Sequence, residues 1–90
     1  MLEPAATFAV FLEAQPPGVM QAVIAARPEA SARLLAYLDE RGVRHSGRIS
    51  GATLAAVAGV DGRTWRRWVG GQAPMPLAAR RAIIAAAFGA

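Results

Sequence analysis

The 90-residue sequence predicts an all-α fold, a small bundle of about five to six short helices. Three observations point to it. Alanine occurs 22 times, and it is the residue that gives up least entropy on entering a helix. No stretch alternates apolar and polar residues with the period of two that marks a strand. Prolines and glycines cut the chain into segments about as long as one helix.

The length allows one domain. Hydrophobic residues make up 54% of the chain, yet without alanine only 27 carry a larger apolar side chain, so the core is small. Pro4 opens a first helix at its first turn, with Phe8, Phe11 and Leu12 on one side. Pro16-Pro17-Gly18 breaks the pattern, and Val19, Met20, Val23 and Ile24 form a second stripe. Arg27-Pro28 ends that run and starts a third helix, with Glu29 in the first turn, where it complements the macrodipole. Leu34, Leu35 and Leu38 are its buried stripe, and Gly42 is its stop. Residues 1–42 thus read as a helical scaffold and dimerisation part. Residues 43–49 read as a polar linker holding Arg44, His45 and Arg48, with His45 solvated, and residues 50–90 as the remainder of one compact domain. The last helix runs from about Pro76 to Phe88 with Leu77, Ile83 and Ile84.

Composition excludes several kinds of chemistry. Cysteine is absent and histidine occurs once, so neither a disulfide framework nor a metal site is expected. No catalytic set can be assembled, and we expect neither an enzyme nor a cofactor. The longest apolar run, Ala82 to Phe88, is too short to cross a bilayer. Glu3 stands where an export signal would carry positive charge, so the expected compartment is the cytoplasm. The charge distribution is more informative. All ten basic residues are arginine; residues 1–40 carry −3 and residues 41–90 carry +7. A half this basic suits a polyanionic partner.

The segment 50–71 has the parts that two short, steeply crossing helices require. Ser50 caps the first helix, Ala55 is small enough for the crossing, and Gly59 supplies the positive φ of the turn. Val60 plugs the corner, and Asp61 caps the second helix. At about 100° per residue, Trp65, Trp68 and Val69 form one apolar face of that helix. Arg63 and Arg67 point nearly opposite, with Arg66 on their flank. An exposed arginine ridge of this kind fits the DNA major groove, where arginine pairs with guanine or grips phosphate.

These residues resemble the helix-turn-helix of the Cro/C1 (Xre-like) phage and plasmid repressors. The likeness runs over about residues 50–84: Ala55, Gly59-Val60, Asp61, Thr64 to Trp68, and Gly70 to Pro74 follow the family's order without a gap. It implies a homodimer that binds an inverted repeat in double-stranded DNA and represses a promoter. The resemblance places Asp61, Gly62, Arg63 and Arg66 at base-reading positions, and turns Thr64 and Arg67 toward phosphate. Ser50 and Thr53 would lie near the DNA backbone, and Gly71 and Gln72 would offer it an amide and a side chain. The chain departs from the pattern at three places: Gly51 stands where a glutamine is common, Val69 replaces a common glutamate, and Trp65 is larger than the usual valine or isoleucine. Arg80 and Arg81 open the last helix, where positive charge opposes the macrodipole, which suggests another phosphate contact; Arg44 and Arg48 form a candidate arm. The other readings of this sequence are a protein–protein inhibitor or adaptor on the same fold, and an accessory DNA-binding protein of a conjugation or partition system.

Overall fold

A computed structural model describes residues 4–89, with side chains from residue 8 onward. Six helices follow one another: α1 (Pro4–Glu13), α2 (Pro17–Ala25), α3 (Pro28–Glu40), α4 (Gly51–Ala58), α5 (Gly62–Val69) and α6 (Leu77–Phe88). There is no strand among the described residues, so the predicted helical bundle is the fold. Proline at the first position opens α2 and α3, where its missing N–H costs nothing because that donor has no partner within the helix.

Helix α6 is the spine, packing against α1, α3 and α4, while α2 bridges α3 and α5. Leu12, Met20, Ile24, Leu34, Leu38, Leu54 and Ile83 are fully enclosed, so every helix except α5 contributes a large aliphatic side chain to one core, and α5 adds Trp65 and Trp68. The radius of gyration is 12.3 Å, matching the ~12 Å of a single domain of this length. The scaffold and the segment after the loop therefore form one unit. Among the described residues no helix is long and apolar enough to cross a membrane.

Several apolar residues expected inside lie outside. Phe11 is 54% exposed, Val19 41% and Val69 48%. Each is the chain neighbour of a buried residue (Leu12, Met20 and Trp68), and a helix turns about 100° between neighbours. Short helices covered on a narrow arc bury one of the pair and leave the other at the edge. Leu77, the first residue of α6, is also exposed.

Arg80 and Arg81 correct a second expectation. The Arg80 guanidinium donates to the backbone carbonyls of Glu13, at 3.2 Å, and of Gln15, and its Nε–H donates to the carbonyl of Met75. Arg81 pairs with the Glu13 carboxylate at 3.3 Å. Their positive charge is unfavourable at the amino end of α6, but it sits against the carboxyl end of α1, where a cation is favoured. Arg80 is taken up in joining two helices, while Arg81 pairs across the same gap with 65% of its side chain still exposed.

The loop 43–49 is tied down. His45 Nε2 lies 2.7 Å from Asp39 Oδ1, and the Gly47 N–H donates to His45 Nδ1 at 3.0 Å. The imidazole is only 14% exposed, so the expected solvated histidine is instead a clasp between the end of α3 and the loop.

Candidate nucleic-acid interface

Helix α4 begins at a capping box. The Ser50 side chain accepts from the Thr53 amide, and the Ser50 amide donates to the Thr53 hydroxyl at 2.6 Å. That hydroxyl in turn donates to the Ser50 carbonyl at 2.7 Å, and Thr53 is 3% exposed. Thr53 is therefore a cap whose side chain is fully engaged, which removes it from the expected contacts with a DNA backbone. Ser50 stays half-buried at the helix end. Ala55 is buried, on a helix that packs against α5. Gly59 takes φ +74°, and the Val60 amide returns to the Ala55 carbonyl. This left-handed closure, which a side chain would strain, turns the chain sharply into α5.

Asp61 starts α5 by accepting from the Thr64 amide at 2.8 Å, satisfying one of the free donors of the first turn. The hydrogen bonds from Thr64 hold its carboxyl below the ordinary carboxylate range, helped by the charges of Arg63 and Arg66. Trp65 and Trp68 turn inward, edge to face with ring centroids 6.1 Å apart. Arg63, Arg66 and Arg67 stand on the other side, all exposed. Gly62 brings no side chain of its own; Arg66 Nη1 lies 3.3 Å from where its Cβ would be, so the arginine covers that position. The helix closes at Gly71, φ +75°, whose amide is taken by the Trp68 carbonyl while the Gln72 amide is taken by that of Arg67. The Gly71 amide is thus not free for a phosphate, whereas the Gln72 side chain is exposed.

The ten arginines divide by what they touch. Arg27 lies over the Phe8 ring and Arg41 over that of Tyr37; Arg33 bonds the Phe88 carbonyl and pairs with Glu29; Arg80 and Arg81 hold α1. Arg44, Arg48, Arg63, Arg66 and Arg67 form no ion pair, hydrogen bond or ring contact among the described residues. The guanidinium groups without a partner among the described residues all lie between residues 44 and 67.

One contact was not legible from spacing. A Cβ on Gly51 would stand 2.8 Å from Trp65 Cδ1 and 2.9 Å from Trp65 Nε1. The glycine at 51 and the tryptophan at 65 are therefore a single substitution in space: the indole fills the room that a side chain on Gly51 would need. Two departures from one pattern, on helices that must cross, were the available signal. Comparison with known proteins returns no matching family model, no similar curated protein and no similar solved structure.

Proposed function

We propose that the protein is a sequence-specific regulator of transcription that binds double-stranded DNA through α5. In this reading it represses as a homodimer on an inverted repeat near a promoter. The observation that carries the reading is the set of three exposed, unpaired guanidinium groups on one face of a helix whose other face is locked in the core. Like charges gathered on one face repel, and a duplex with a negative charge every ~1.7 Å relieves that repulsion. Arg63 and Arg66, near the amino end of α5, are the base readers, flanked by Asp61 and Gly62. Arg67, the Thr64 hydroxyl, Ser50 and Gln72 lie where they serve the phosphate backbone. Val10, 62% exposed, and Phe11 on α1 give a twin apolar surface to cover. Two copies of α5 about 34 Å apart would then meet successive major grooves.

Selection of bound sequences from a random duplex pool tests the proposal. The expected product is a two-fold symmetric site, and Arg66→Ala relaxes the choice at one base pair of each half. Recovery of no preferred sequence would remove the regulator reading; loss of all binding at low salt would favour the adaptor.

A further inference from the structure

We infer that the indole N–H of Trp65 donates to a phosphate oxygen of the DNA backbone at the amino end of α4. The inference rests on the reading of α5 as a DNA-binding helix, but it concerns a different group from the arginine ridge. Trp65 is 3% exposed, and its Nε1 and Cδ1 edge presses on the first turn of α4, within 2.9 Å of the point a Gly51 Cβ would occupy. Nε1 has no hydrogen-bond partner among the described residues, yet no fully enclosed nitrogen or oxygen there lacks one. The N–H is therefore not sealed in the core; its nitrogen reaches solvent beside Gly51.

What it faces is a set of donors. The amides of Gly51 and Ala52, the first two of α4, have no partner among the described residues, since the capping box serves only the Thr53 amide. The amino end of a helix favours an anion. The acceptor within reach inside the protein is Gln21 Oε1, 3.9 Å from the same Gly51 point. An indole donor at the edge of the core and two first-turn amides without a partner among the described residues lie together, and the partner that completes them is an anionic oxygen. The indole edge occupies the room of a Gly51 side chain, so no side chain at 51 lies over it.

Both indole signals of the ¹⁵N-labelled chain, followed during titration with a non-specific duplex at low salt, test this. The expected result is a downfield shift and slowed exchange for Trp65 alone. Movement of the α5 arginine signals with an unmoved Trp65 indole overturns the inference and leaves the DNA reading standing; movement of neither overturns both. The same shift with inorganic phosphate at equal concentration assigns the site to free anions and overturns the duplex source. A Trp65 shift on Gln21→Ala in the DNA-free protein means the N–H is held internally, which also overturns it. As a second arm, 3-benzothienylalanine at position 65 keeps the ring shape and replaces N–H by sulfur. Duplex affinity is then expected to fall about tenfold on every sequence. The slope of binding against salt stays unchanged because no charge is removed; unaltered affinity would refute the contact.

Discussion

The scaffold with α6 and the segment from the loop to α5 use the same residue in opposite ways. In the first region, Arg27, Arg33, Arg41, Arg80 and Arg81 turn back onto aromatic rings, helix-end carbonyls and carboxylates of the chain itself. In the second, Arg44, Arg48, Arg63, Arg66 and Arg67 touch no partner group among the described residues. Arginine-rich composition alone does not distinguish structure from binding. The contacts do, because a guanidinium that closes a helix end or covers a ring is held against the chain itself, and one standing free on a locked helix is not.

The largest expected effect comes from removing the free set. Arg63→Ala and Arg66→Ala each weaken binding to the specific site by about 1–3 kcal/mol and relax base choice, and the triple variant with Arg67→Ala abolishes specific binding in a gel-shift titration while melting like the parent. Gly51→Val follows: overpacking against Trp65 costs about 1–3 kcal/mol in urea unfolding, a penalty that shrinks when Trp65 is also replaced by Leu. Arg80→Ala breaks the comparison from the other side. It costs about 1–2 kcal/mol of stability by freeing the end of α1, and DNA affinity per folded molecule holds.

Much of this was legible in the sequence, and the reasons differ by element. Proline and glycine placement gave the helices, because those residues act locally on the backbone. Ser50, Asp61 and Gly59 also act within one turn, and each does what its position suggested. Phe11, Val19 and Val69 were misplaced because periodicity gives the direction of a stripe and not the width of the arc a neighbour covers. Arg80 looked costly for its own helix, but its compensation lies on α1, more than sixty residues away. Thr53 was expected at the DNA backbone, and the reciprocal cap with Ser50 that consumes it depends on side-chain rotamers. The Gly51–Trp65 contact needed the crossing of two helices to exist.

The smallest expected effect is the acid dependence of α5. The Asp61 carboxyl is held below its unfolded range, so its contribution to stability is complete above the ordinary carboxylate pKa and is lost as pH falls through the lowered value. Melting of the parent between pH 7 and pH 3 should fall more steeply than that of Asp61→Asn; parallel profiles would show that the cap does not depend on the charge.

The division of the arginines is tested most directly by the slope of duplex affinity against salt concentration. Each phosphate that an arginine neutralises adds about 0.9 to that slope. Replacing Arg67 by Ala should lower it by about that amount, and Arg63→Ala and Arg66→Ala by less because those side chains meet base edges, while Arg33→Ala and Arg81→Ala leave it at the parent value. Equal slopes for all five variants, or a drop confined to Arg33 and Arg81, would contradict the assignment of the free arginines to DNA.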